Sequence, residues 1–133
     1  MREGQNNVEK IKLNMAAVLR LLTPLDAPDI FNAIDTQRRY LTQWLPFVSG
    51  TRTIEDTLRY VRTSMLDFER GDYVFVIVCE EQFAGLIGFK DTDRENRRTE
   101  LGYWLREEYQ GRGLMTESVK ALCRWAFRKQ RMF

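Results

Sequence analysis

The chain has 133 residues, 44% hydrophobic and 30% charged, a size and balance that suit one small globular domain with a real core and exclude a disordered chain. Its net charge is +2 with acidic and basic residues interleaved, so long-range attraction to nucleic acid is a weak expectation. There is no histidine, which excludes a Ser-His or Cys-His nucleophile pair and any histidine-ligated metal site.

Residues 1–16 read as a polar N-terminal extension to a single domain covering 1–133. Residues 18–22 are a short β-rich run ended by Thr23-Pro24, and Asp26, Pro28 and Asp29 then start a helix with acidic residues in its first turn. Ile30, Phe31 and Ile34 supply its inner face to about Thr36, and residues 40–48 read as an irregular aromatic segment broken by Ser49-Gly50. Thr53 is placed to cap the next helix with Asp56, and Ile54, Leu58, Val61, Met65 and Phe68 fall at helical spacing up to a stop near Gly71. Two apolar runs, 73–79 and 83–89, separated by Glu80-Glu81-Gln82, read as a hairpin. A charged loop over 91–98 leads to a third strand, 99–105. From Leu114 a helix carries Met115, Val119, Leu122 and Ala126 on one stripe, widened by Ala121 and Trp125. The order of strand, two helices, three-stranded meander and helix is an α/β class with a mixed sheet.

No apolar run is long enough to span a bilayer, and Glu3, Asn6, Asn7, Glu9 and Lys10 leave no apolar signal region, so a cytoplasmic location is the default expectation. Cys79 and Cys123 lack CxxC spacing and read as free thiols. Two basic groups, Arg94, Arg97 and Arg98, and Arg124, Arg128, Lys129 and Arg131, read as solvated faces, because aromatic residues that would stack bases are not interleaved with them.

The most informative stretch is residues 100–116, ELGYWLREEYQGRGLMT: a half-buried strand, a charged loop, and a glycine-punctuated start to the last helix. Backbone N–H groups at such a helix start lack intrahelical partners and sit at the positive end of the macrodipole, so a phosphate or pyrophosphate fits there. Gly111-Arg112-Gly113 has no third glycine three residues on and no P-loop lysine, which disfavours a dinucleotide fold or an NTPase.

Gln110-x-x-Gly113-x-Met115 resembles the acetyl-CoA signature of the GNAT acyltransferases, Gln/Arg-x-x-Gly-x-Gly/Ala, with Met115 departing at the last position. That residue, together with Glu100-Leu101-Gly102-Tyr103-Trp104-Leu105, is similar to the branch containing Rim-type N-acetyltransferases of ribosomal proteins. The resemblance implies a GNAT-like acyl-CoA N-acyltransferase fold, here ending after the acetyl-CoA-binding helix where the family continues into further strands. It therefore carries the expectation of a fragment, a truncation or an exchanged segment, with an open edge on the 99–105 strand that favours a homodimer or low stability.

The resemblance further implies acetyl transfer from acetyl-CoA, as co-substrate and without a metal, to a primary amine. Backbone groups of Gly111, Arg112, Gly113, Leu114 and Met115 would hold the pyrophosphate, bordered by Gln110, with Arg112 adding charge. Tyr103, Trp104 and Leu105 would pair with the pantetheine arm as a strand does. Glu100 is the candidate base, its alternative being a solvent-facing strand residue, and Trp44 and Phe47 are candidates for the acceptor wall or for core packing. The acceptor that the resemblance favours is a ribosomal-protein N-terminal amine. Small amines such as antibiotics or polyamines, a non-catalytic CoA-binding fragment, and a salt-sensitive nucleic-acid module remain as alternatives.

Overall fold

The structure, a computed structural model, describes residues 10–13, 16–42 and 45–130, with the side chains of 46, 47, 129 and 130 excepted. Among these described residues five strands form one sheet in chain order: β1 (Lys10–Lys12), β2 (Ala17–Leu21), β3 (Val74–Cys79), β4 (Gln82–Asp93) and β5 (Arg98–Leu105). Every neighbouring pair is antiparallel. Among the described residues four α-helices accompany it: α1 (Ala27–Thr36), α2 (Arg38–Thr42), α3 (Ile54–Leu66) and α4 (Leu114–Trp125). Among the described residues no helix is long and apolar enough to cross a membrane.

The alternation of β3 separates the two cores. Phe75, Ile77 and Cys79 join Leu19, Ile87, Leu114, Leu122 and Trp125 beneath α4. Val76, with Leu86, joins Ile30, Ile34, Leu41, Val48 and Val61 on the opposite face, beneath α1, α2 and α3. The sheet is therefore covered on both sides, and each fully buried aliphatic or aromatic side chain contributes about 2 kcal/mol by leaving water. At the far end of α4, Trp125 meets Tyr73 and Phe75 edge-on, both at 5.2 Å between ring centroids. That contact fixes the helix against the sheet, and with it the position of its N-terminus.

The β3–β4 hairpin turns on Glu80 and Glu81, both at positive φ (52° and 65°), as a two-residue type I′ connection requires. The next connection is tighter than a charged loop over 91–98. β4 runs on to Asp93 and β5 starts at Arg98, because a bulge with Asp91 at φ 53° lets the charged stretch keep pairing. β4 and β5 approach so closely that a Cβ on Gly85 would collide with the Trp104 carbonyl oxygen.

Three other expectations change. The described residues of the segment 40–48 are largely helical: α2 runs to Thr42, and Pro46 opens a 3-10 segment, Pro46–Gly50. Phe68 lies beyond α3, in a 3-10 turn closed by Gly71 at φ 108°, and Ile54 is exposed at the first helical position. Lys10–Lys12, within the stretch read as a polar extension, is an edge strand, which its two exposed lysines suit.

Candidate functional site: a cleft at the start of the last helix

β5 has one partner among the described residues, β4. The Arg106 N–H donates to the Ala84 carbonyl at 2.8 Å, which sets the ladder phase. Bonded pairs alternate along an antiparallel ladder, so the backbone groups of Leu101, Tyr103 and Leu105 point away from β4. Side chains alternate too: Leu101 and Leu105 pack on the α4 side, and Trp104 packs on the side of α1 to α3.

Beyond β5 the chain makes a 3-10 turn, Glu107–Tyr109, and then changes hand twice, with Gly111 at φ 75° and Gly113 at φ 77°. L-residues other than Asn and Asp seldom hold that conformation, so the glycines permit this loop. Gly113 is the N-cap of α4 and no side chain caps the helix. The first helical bond runs from the Glu117 N–H to the Gly113 carbonyl at 3.1 Å, so the N–H groups of Leu114, Met115 and Thr116 have no partner within the helix. A Cβ built on Gly111 or Gly113 would meet nothing within 4 Å. Donors and open space therefore coincide at the positive end of a helix dipole.

These groups border a cleft of about 520 Å³. Its floor is Tyr103, Trp104 and Leu105, one wall is Tyr109, Gln110, Gly111, Gly113 and Leu114 to Thr116, and the facing wall is Tyr40, Leu41 and Leu45. Among the described residues no charged side chain lines it, so the described part of the cleft would hold an anion by backbone donors and the helix dipole. Tyr109 is buried beneath the loop, and burial first, then the nearby Cys79, Glu108 and Glu80, raises its phenol pKa, which keeps it a neutral hydroxyl at physiological pH.

The cleft brings together Tyr103, Trp104, Leu105, Gln110, Gly111, Gly113, Leu114 and Met115 from the set picked out in the sequence. Arg112 is not among them: its guanidinium pairs with Glu80 at 3.2 Å and lies 5.3 Å from the centre of the Tyr109 ring. It braces the loop against the hairpin turn instead of facing the cleft. Glu100 is exposed and does not line the cleft, although alternation puts it on the same face of β5 as Trp104. Trp44 lies outside the described residues, as does the side chain of Phe47. Sequence reading missed Tyr40, Leu41 and Leu45, together with Tyr109 and Thr116. A single buried Leu in a five-residue helix leaves no periodic signal, whereas Tyr109 and Thr116 adjoin the glycine motif and were within its reach.

Comparison with known proteins agrees with this geometry. The acetyltransferase (GNAT) domain profile matches residues 17–132. The ribosomal-protein-serine acetyltransferase of Escherichia coli (strain K12) is 28% identical over 115 residues, covering 86% of this chain and 64% of that protein. A putative ribosomal N-acetyltransferase of Bacillus subtilis (strain 168), YdaF, is 28% identical over 122 residues, covering 87% of this chain and again 64% of the relative. The chain thus spans somewhat less than two thirds of the length of those relatives. Among solved structures, RimL, a ribosomal L7/L12 alpha-N-protein acetyltransferase in complex with coenzyme A, superposes with a TM-score of 0.85 at 28% identity, over 91% of this chain and 70% of that one. With its α/β architecture, its open antiparallel sheet and its uncapped helix start beneath the Gln110 to Met115 signature, the chain belongs to the GNAT acetyltransferase family.

Proposed function

We propose that the cleft binds acetyl-CoA and that the protein transfers its acetyl group to a primary amine, with a protein N-terminus of the ribosomal-protein type as the acceptor. The observation that carries this reading is the coincidence of three unpartnered helix N–H groups, the open space above Gly111 and Gly113, and the outward-facing backbone of β5 within one cleft. The first two suit a pyrophosphate, and the third suits an amide-bearing arm added as a strand. Coenzyme A in the RimL complex, and the ribosomal substrates named for RimL and for the Escherichia coli relative, support the ligand and acceptor assignments.

An arm pairing with β5 runs from Leu105 back toward Leu101, and so carries its far end toward Glu100. Glu100 is the proposed base. The amine loses a proton to its carboxylate, directly or through a water, as the nitrogen adds to the thioester carbonyl; the C–N bond forms, the C–S bond breaks and CoA leaves as thiolate. A backbone N–H on the open side of β5 would stabilise the oxyanion. An α-amino group with pKa about 8 is roughly one-tenth neutral at pH 7, whereas a lysine at about 10.4 is below roughly one-thousandth, so an N-terminal amine makes the smaller demand on an exposed carboxylate.

The test is acetyl transfer to a panel of N-terminal serine and alanine peptides, polyamines and aminoglycosides, with acetyl-CoA binding measured beside it. Transfer to the peptides, with Glu100→Gln reducing turnover by about a hundredfold or more while acetyl-CoA still binds, is the expected result. Transfer confined to small amines would reassign the acceptor. Unchanged turnover in Glu100→Gln would remove it as the base, and binding without transfer to any amine would leave a non-catalytic CoA-binding protein.

A further inference from the structure

The two walls of the cleft lie about seventy residues apart in the chain, and one side chain joins them. Gln37 follows the last residue of α1, and its carbonyl accepts from the Leu41 N–H at 2.8 Å, which sets the first turn of α2. Its side-chain amide crosses to the turn before the glycine loop. Nε2 donates to Glu108 Oε1 at 2.7 Å, and Oε1 accepts from the Glu107 N–H at 3.0 Å. Chemistry fixes that orientation, because a backbone N–H only donates and must meet the amide oxygen, leaving the NH₂ to face the carboxylate.

Glu108 is itself held in place, with Arg106 Nε donating to its other oxygen at 3.1 Å. Its own backbone N–H first, then the Gln37 amide and Arg106, keep its carboxyl below the usual range, so it is an acceptor at neutral pH. Tyr40 and Leu41 of one wall lie three and four residues after Gln37, and Tyr109 and Gln110 of the other directly follow Glu108. The bridge therefore ties the segment that leads into one wall to the turn that leads into the other.

We propose that Gln37 is a positioning residue that sets the separation of the α2 wall from the glycine-loop wall, so that the loop is presented to acetyl-CoA with the acceptor side already in place. This deepens the acetyltransferase reading and rests on it for the identity of the ligand. The role needs both halves of an amide. In Gln37→Ala both bonds are lost, whereas Gln37→Glu keeps the bond from the Glu107 N–H and turns the other into a carboxylate facing a carboxylate. Combining Gln37→Glu with Glu108→Gln swaps the partners: the amide introduced at 108 donates to the carboxylate introduced at 37, and the bridge is rebuilt with its charge on the other side.

Amide hydrogen exchange of the ligand-free protein, followed by calorimetric titration of acetyl-CoA into the same samples, tests the proposal. The N–H groups of Leu41, Tyr109 and Gln110 are the reporters, since each is bonded within its own wall. Expected results are exchange about tenfold faster at both walls in Gln37→Ala, a larger effect in Gln37→Glu, several-fold weaker acetyl-CoA binding in each, and recovery of both readouts in the swapped pair. A destabilisation confined to the start of α2 would leave exchange at Tyr109 and Gln110 unchanged. Unchanged exchange at either wall in Gln37→Glu, or no recovery in the double variant, overturns the proposal. Exchange that responds as expected in a protein that does not bind acetyl-CoA upholds the wall-setting role and overturns the ligand assignment instead.

Discussion

Two helices of nearly equal length, α3 with 13 residues and α4 with 12, begin in opposite ways. At α3 side chains answer backbone donors around the helix start: the Asp56 N–H donates to Thr53 Oγ1 at 3.1 Å, while Asp56 Oδ2 accepts from the N–H groups of Thr53 at 3.1 Å and Arg52 at 3.0 Å. At α4 a glycine in the left-handed conformation stands at the N-cap, no side chain answers the first donors, and they border the cleft. The same feature of helix geometry is a stabilising device where a side chain satisfies it and a binding device where glycine leaves it open. α4 recovers what it forgoes by packing, with Leu114, Leu122 and Trp125 buried and the Ser118 hydroxyl donating to the Leu114 carbonyl at 2.8 Å.

The largest expected effect comes from closing the open end. In Gly113→Val a β-branched residue cannot hold φ 77° without strain, so the loop relaxes, and restoring it on binding costs about 1–2 kcal/mol. That alone weakens acetyl-CoA binding about tenfold, and overlap of the side chain with the ligand adds to the loss, read by calorimetry. At the capped end, Thr53→Ala removes the N-cap of α3 and costs about 1 kcal/mol, a fall of about 4 °C in Tm, with acetyl-CoA affinity unchanged. A change in affinity there would show that the two helix starts are coupled.

The smallest effect is in acid. The backbone N–H groups of Arg52 and then Thr53 hold the Asp56 carboxyl below its ordinary 3.8. A group whose folded pKa is depressed contributes stability that is complete above the unfolded value and is lost as pH falls through the folded one. Denaturant melts of the parent and Asp56→Asn should therefore differ most above about pH 4 and converge below it; a constant difference would show that the cap does not depend on the charge.

What could be read from the residues follows the same division. The Thr53–Asp56 cap, the β3–β4 hairpin and the glycine pair at the start of α4 are local patterns, and each stands where its residue types placed it. The facing wall was not legible, because α2 is short and its place over the cleft is set by contacts across the fold, including the Gln37 bridge. The Arg112 ion pair was not legible for a related reason. A cation beside a phosphate loop reads as a phosphate partner, and nothing local announces its pairing with Glu80, 32 residues earlier on the hairpin turn. β1 carries two lysines in three residues and looked like a polar tail until its pairing with β2 was visible.

The central claim is that the uncapped start of α4 is where acetyl-CoA binds. Calorimetric titration of acetyl-CoA into the folded protein and into Gly113→Val, side by side, tests it most directly. Saturable binding near one per chain that is lost or strongly weakened in the valine variant is the result this account predicts. Equal binding by the two proteins, or no binding by a folded parent, would contradict it.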